Sequence, residues 1–96
     1  MRARKPKDIE KALLKKGFVK ESDSHHHYYY LIINGKKSDL YTYLSHGKQS
    51  KDYGTKLMEK VKKQLRFTDG KKAELFLDCP MSSEQYITML EEADAI

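Results

Sequence analysis

A β-hairpin is predicted by residues 25–44, which read HHHYYYLIINGKKSDLYTYL. Asn34-Gly35 is a strong signal for its turn, because both residues tolerate the positive φ that a two-residue hairpin turn requires. The flanking residues are rich in Tyr, Ile and Leu, which favours strands over residues 25–33 and about 38–44. The rest of the fold is predicted outward from this hairpin.

The two faces of the hairpin differ, because successive side chains of a strand point to opposite sides of the sheet. The aliphatic face carries His25, His27, Tyr29, Leu31 and Ile33 with Leu40, Thr42 and Leu44. The tyrosine face carries His26, Tyr28, Tyr30 and Ile32 with Asp39, Tyr41 and Tyr43. We expect helices to pack on the aliphatic face and water to reach part of the tyrosine face.

The tyrosines have two interpretations. Tyrosine suits strands and pairs well across them, which requires no ligand. The alternative is an aromatic platform on which nucleobases stack, with Tyr28, Tyr41 and Tyr43 as its candidate residues.

Helices are predicted on both sides of the hairpin. Pro6 favours the first turn of a helix and Gly17 favours its end, after which Phe18 begins a short first strand. A second helix is predicted from about residue 51 or 52. Its apolar side chains recur every four residues, at Tyr53, Leu57, Val61 and Leu65.

The C-terminal third is predicted to be helical. Residues 73–79 fit both a strand and a helix, and we favour a short helix. Ser82 with Gln85 forms a capping-box signature for a last helix, whose inward side chains are Tyr86, Ile87 and Leu90. The predicted fold is an α+β two-layer sandwich. It has an α-β-β-β-α core, a three-stranded antiparallel sheet and a helical C-terminal extension.

The composition is typical of one small basic domain over residues 1–96. Nineteen Lys and Arg stand against fourteen Asp and Glu, for a net charge of +5. No apolar run approaches the roughly 20 residues of a membrane helix, and residues 1–16 do not resemble a signal peptide. A single cysteine, Cys79, excludes an internal disulfide and a Cys-rich zinc site. We therefore expect a cytoplasmic protein without a membrane partner.

The charge is unevenly distributed. Lys and Arg are concentrated in residues 1–20 and 48–66, whereas residues 73–96 contain six acidic residues and no Lys or Arg. Such asymmetry favours one basic side suited to polyanions. A solvated basic surface with no partner explains the same charges equally well.

All four histidines lie within residues 25–46, as His25, His26, His27 and His46. Imidazole, with an ordinary pKa of roughly 6.5, can both accept and donate a proton near neutrality. His25 and His27 share one side of the strand, but no carboxylate or thiol is placed to complete a metal site, so a metal is the weaker alternative and no cofactor is expected. Without further information, inert hydrogen-bonded histidines are favoured.

Four short motifs follow one another along residues 6–66. They are LKKGFV at 14–19, SHHHY at 24–28, HGK at 46–48 and YGTKL at 53–57. In this order they resemble the motifs of HicA/YcfA-type toxins, which are small mRNA interferases with a double-stranded-RNA-binding-domain-like fold. Residues 67–96 then form an acidic C-terminal extension beyond the resemblance.

The resemblance implies metal-independent cleavage of RNA, with His25 as the catalytic histidine. It would take the proton of a 2′-hydroxyl, whose oxygen attacks the adjacent phosphate. The acid for the leaving oxygen would be His46, the same imidazole in turn, or water. Lys48, Lys51 and Lys56 would hold the phosphates. The resemblance also implies a cognate antitoxin that covers the histidine.

Two departures from the family pattern keep other functions open. Asp23 stands where the family usually has glycine, and its charge would repel phosphate or raise the pKa of His25. The C-terminal extension would cover the basic face, supply a dimer contact or add to the core. The alternatives are a noncatalytic nucleic-acid-binding module and a protein-interaction module that uses the tyrosine face and the acidic extension.

Overall fold

The structure is a computed structural model that describes residues 2–45, 54–78 and 80–96. The described elements are α1 (Pro6–Lys15), β1 (Phe18–Ser22), β2 (His26–Ile33), β3 (Lys36–Ser45), α2 (Thr55–Gln64), α3 (Gly70–Leu77) and α4 (Ser83–Glu92). The strands form an antiparallel sheet in the order β1-β2-β3. The predicted α+β class and three-stranded sheet are confirmed. None of the described helices has the length and apolar character needed to traverse a lipid bilayer.

The hairpin turn is the predicted one, and an irregularity follows it. Asn34 and Gly35 have φ values of 52° and 78°, and Ile33 pairs with Lys36 across the turn. The register then shifts, so that residues 38–40 of β3 lie opposite Leu31 alone. The shift adds two residues, an even number, so each side chain stays on its predicted face.

Ser38 satisfies the backbone groups that this shift leaves without ladder partners. Its hydroxyl donates to the Leu31 carbonyl oxygen at 2.8 Å and accepts from the Leu40 N–H at 3.2 Å. Because Lys36 and Lys37 already pair with β2, the return strand begins at Lys36, two residues before its predicted start.

The helices pack on the aliphatic face. Buried there are Tyr29 and Leu31 of β2 and Leu40, Thr42 and Leu44 of β3. The Thr42 hydroxyl donates to the Gln64 side-chain oxygen of α2 at 2.5 Å, which satisfies its buried polar group. His25 was predicted on this face, but it precedes β2 and is exposed.

The C-terminal extension is part of the same core. Phe18 of β1 and Phe67 pack against Phe76 of α3 and Tyr86 of α4, with centroid separations from 5.5 to 6.3 Å. Phe76 and Tyr86 contact each other at 4.6 Å. The Tyr86 hydroxyl donates to the Leu65 carbonyl oxygen at 2.8 Å. Of the three predicted roles for the extension, the structure therefore shows that it adds to the core.

Both C-terminal helices begin at a side-chain cap, and the sequence predicted the second of the two. At the start of α3 the Asp69 side chain accepts from the Lys71 N–H, and this helix includes residues 73–77, as the favoured short helix predicted. At α4, Ser82 and Gln85 exchange the two hydrogen bonds of a capping box, as predicted.

The predicted inner face of α2 is wrong in part. The buried residues are Met58, Val61 and Leu65, whereas Leu57 is 46% exposed. A spacing of four residues advances about 40° around a helix at every step, so such a series drifts away from the core. The helix begins at Thr55, and the predicted start at residue 51 or 52 lies outside the described residues.

Candidate nucleic-acid interface

None of the described helices covers the tyrosine face of the sheet. The buried side chains of all four helices belong to the core on the other side, and Tyr41 is 41% exposed. His26, Tyr28, Tyr30 and Tyr43 are partly exposed. We call His26, Tyr28, Tyr30, Tyr41 and Tyr43 the aromatic cluster.

Strand register brings the rings of the aromatic cluster together. Tyr28 pairs directly with Tyr43, and Tyr30 pairs with Tyr41. The centroid separations are 5.9 Å and 5.2 Å, and the diagonal from Tyr28 to Tyr41 is 6.2 Å. His26 meets Tyr43 edge-on at 5.0 Å. The five rings therefore form one continuous patch, in which Tyr28 contacts the other four.

Two lysines lie beside rings of the cluster. The Lys37 ammonium is 4.5 Å from the Tyr30 centroid and donates to Glu21 Oε2 at 2.9 Å, which raises the pKa of Lys37. The Lys60 ammonium of α2 is 4.7 Å from the Tyr43 centroid. In the described part of the chain Lys60 has no carboxylate partner, so its charge stays available to an anion.

The pKa of the central tyrosine follows from this packing. Partial burial among the rings raises the pKa of Tyr28, and the nearby Asp23 carboxylate adds to the shift. Tyr28 therefore holds its phenolic proton more tightly than an ordinary tyrosine does.

Asp23 closes the turn between β1 and β2. Its Oδ1 accepts from the backbone N–H groups of His25 and His26, each at 2.7 Å, and its own N–H donates to the His26 carbonyl oxygen at 3.0 Å. These backbone donors lower the pKa of the Asp23 carboxyl. The departure from the family glycine thus has a local structural role in addition to its charge.

The three consecutive histidines have different surroundings. His25 is exposed on the turn, His26 belongs to the aromatic cluster, and His27 Nδ1 lies 2.6 Å from the Ser22 hydroxyl. Alternation of side chains along β2 separates His26 from His27. Among the described residues, no group of three His, Cys, Asp or Glu side chains could hold a metal ion.

Part of the N-terminal positive charge is neutralised within the fold. Arg4 donates to Asp78 at 2.8 Å and to Glu74 at 3.0 Å, and its side chain is only 8% exposed. Arg2 reaches the same two carboxylates, and Lys20 pairs with Glu10. The remaining exposed cations of this segment are Lys5, Lys7, Lys11 and Lys15. Residues 1–20 are thus less available to a polyanion than their composition suggests.

The structure places only some of the predicted site residues together. Tyr28, Tyr41 and Tyr43 form one patch, and His25 lies on the turn that leads into it. Lys56 is exposed in the first turn of α2, whereas Lys60, one turn later, reaches the Tyr43 ring. The predicted residues His46, Lys48 and Lys51 lie outside the described residues.

Sequence reasoning missed Tyr30, Lys37 and Lys60 as site residues. Tyr30 alternates with Tyr28 along β2, which was signal enough to include it. Lys37 and Lys60 had no such signal, because their positions depend on strand register and on how α2 packs.

No protein-family model matches this chain, and no significant match was found among curated proteins or solved structures. The resemblance of residues 6–66 to HicA-type toxins stays a prediction.

Proposed function

We propose that this protein binds single-stranded RNA on the tyrosine face. The observation that carries the proposal is the aromatic cluster, five rings in continuous contact on a sheet face that none of the described helices covers, with Lys37 and Lys60 beside two of them. Surfaces that bind single strands combine the same two features: aromatic rings that stack on bases and cations that hold the phosphates.

The cluster favours an unpaired strand over a duplex. In a duplex the base faces are stacked on one another, and side chains reach only base edges, sugars and phosphates. Ring stacking is therefore gained only when bases are splayed out. Sheet-borne aromatic side chains commonly stack two or three bases, which is about the extent of this cluster. The motif resemblance supports RNA as the nucleic acid.

The test compares oligonucleotides and two tyrosine variants by fluorescence anisotropy. A labelled RNA of about 12 nucleotides without self-complementarity should bind, and its duplex should bind more weakly. Tyr41→Ala should weaken binding roughly 5- to 150-fold, because stacking contributes about 1–3 kcal/mol per base. Tyr86→Phe is the control, since Tyr86 is buried in the core. Equal affinity for strand and duplex, or no loss in Tyr41→Ala, would contradict the proposal.

Metal-independent cleavage by His25 is a second candidate. The observation that favours it is the exposure of His25 on the turn that precedes His26 of the aromatic cluster. The imidazole would take the 2′-hydroxyl proton, the 2′ oxygen would attack phosphorus, and the 5′ oxygen would leave with a proton. The products would be a 2′,3′-cyclic phosphate and a 5′-hydroxyl. The Asp23 carboxylate on the same turn opposes the approach of phosphate.

A further inference from the structure

The outer surface of the helical layer carries a groove between α3 and α4. Its volume is about 570 Å³, and its apolar lining comes from Leu75, Pro80, Met81 and Met89. Along α4 the lining extends over residues 84–92, eight steps of about 1.5 Å, or roughly 12 Å. The groove is thus about two helical turns long.

The apolar floor of the groove is continuous. Leu75 is 44% exposed, although its neighbours Phe76 and Leu77 are buried in the core. A single exposed leucine is ordinary on a protein surface. Here it lies beside Met81 and Met89, which are partly buried and pack against the core. Methionine side chains adapt to ligand shape, and they are frequent at peptide-binding surfaces.

The rim of the groove is mainly acidic. Glu84 and Glu92 line it from α4, and Lys72 lines it from α3. Glu74 and Asp78 are neutralised by Arg2 and Arg4. Among the described residues, no ion pair involves Glu84, Glu91, Glu92 or Asp94.

We propose that this groove docks a segment of a partner protein that carries two apolar side chains one helical turn apart, flanked by Lys or Arg. The apolar side chains would cover Leu75, Met81 and Met89. The flanking cations would meet Glu84 and Glu92, which form no ion pair with any residue that the structure describes. A helix laid into a groove between helices, with anchors four residues apart, is a common mode of peptide recognition.

The groove and the tyrosine face lie on opposite layers of the sandwich. Occupation of the groove by a peptide therefore leaves the aromatic cluster open, and the two binding events should be independent. RNA affinity measured with and without saturating peptide should be the same.

The test uses a fluorescein-labelled helical peptide of about 14 residues, built from Leu, Ala and Lys, with two Leu four positions apart and Lys at both ends. A matched peptide carries Glu in place of each Lys. The Lys peptide should bind at least about tenfold more tightly than the Glu peptide at low salt, which corresponds to about 1.4 kcal/mol. The Leu75→Gln variant should bind the Lys peptide more weakly than the wild type does, by about the same factor.

Leu14→Gln is the matched control, because Leu14 on α1 is a leucine of similar exposure that does not line the groove. The Glu84→Gln/Glu92→Gln double variant should bind the Lys peptide more weakly and lose much of the salt dependence. Equal binding of the two peptides, or equal losses in Leu75→Gln and Leu14→Gln, would overturn the proposal. A wild-type chain that self-associates on sedimentation, and becomes monomeric as Leu75→Gln, would also overturn it, since the occupant would then be a second copy.

Discussion

The ammonium group of Lys60 lies 4.7 Å from the centroid of the Tyr43 ring, and this contact joins α2 to the open face of the sheet. Lys60 comes from a helix that packs on the opposite face, where Met58 and Val61 are buried. Its long side chain extends around the edge of β3 to the ring of Tyr43, which lies on the other face of that strand. A cation is thereby placed at the margin of a surface that is otherwise aromatic, in the arrangement that a phosphate next to a stacked base requires.

Replacement of Lys60 should change the salt dependence of RNA binding. Lys60→Gln removes one cation that has no carboxylate partner among the described residues. The negative slope of log K against log salt should therefore become less steep by about 0.7. Affinity at low salt should fall for every RNA sequence. Lys63→Gln is the matched control, because it removes the same charge from an exposed position of α2. Equal slopes for the two variants would remove Lys60 from the interface.

Cleavage, if it occurs, should depend on His25 and on no metal. Wild-type protein should cut single-stranded RNA in EDTA, and His25→Ala should abolish cutting while it retains RNA affinity and thermal stability, because His25 is exposed. The products should be read by mass spectrometry for the cyclic phosphate. Undiminished cutting by His25→Ala would end the assignment of that residue. Binding without cutting by the wild-type protein would leave the RNA-binding proposal intact and end the nuclease candidate.

The ion pairs between the N-terminus and α3 should make stability depend on pH. Hydrogen bonds from Arg4 lower the pKa values of the Glu74 and Asp78 carboxyls in the folded protein. The unfolded chain therefore takes up these protons first as pH falls. The contribution of these two ionised carboxylates to the free energy of unfolding is complete above about pH 5. It is lost as the pH falls through about 4 and below.

Arg4→Gln should accordingly lower the free energy of unfolding by about 1–2 kcal/mol at neutral pH. The expected loss is this small because both carboxylates are partly exposed, so that water screens the ion pairs. Its difference from the wild type should vanish near pH 2, as measured by urea unfolding. Arg2→Gln is the control and should have a smaller effect, since the Arg2 side chain is largely exposed. A difference that persists undiminished at acid pH would show that Arg4 stabilises by packing alone.

Arg66 occupies a backbone conformation that favours glycine. Its φ is 71°, and it follows α2 in a Schellman motif, in which its N–H donates to the Lys63 carbonyl oxygen and the Phe67 N–H donates to that of Lys62. Arg66→Gly should stabilise the protein by about 1 kcal/mol, because a left-handed conformation costs side-chain-bearing residues energy.

The corresponding position after α4 is Asp94, with a φ of 56° and the same pair of hydrogen bonds. Aspartate tolerates this conformation better than arginine does, so Asp94→Gly should increase the free energy of unfolding by less than Arg66→Gly does. Urea unfolding of the two variants and the wild type measures both changes in stability. A destabilised Arg66→Gly protein would indicate that the arginine side chain makes a stabilising contact that outweighs its strain.

Local patterns in the sequence determined the hairpin, its two faces and the helix ends. Asn34-Gly35 specifies a turn through its own φ values, and alternation along β2 assigns Tyr28 and Tyr29 to opposite faces whatever the register of the partner strand. The capping box at Ser82 is likewise a bond between neighbours in the chain. Three aromatic residues of the candidate interface were predictable for the same reason.

Tertiary structure decided the contacts that join residues far apart in the chain. Whether Leu57 or Met58 turns inward depends on how α2 is rotated against β3, and the same rotation brings Lys60 to Tyr43. Arg4 meets Asp78 only because α3 returns to the N-terminus. Such contacts follow from the packing of whole elements, which is set by the shape of the common core, and short-range periodicity carries no information about it.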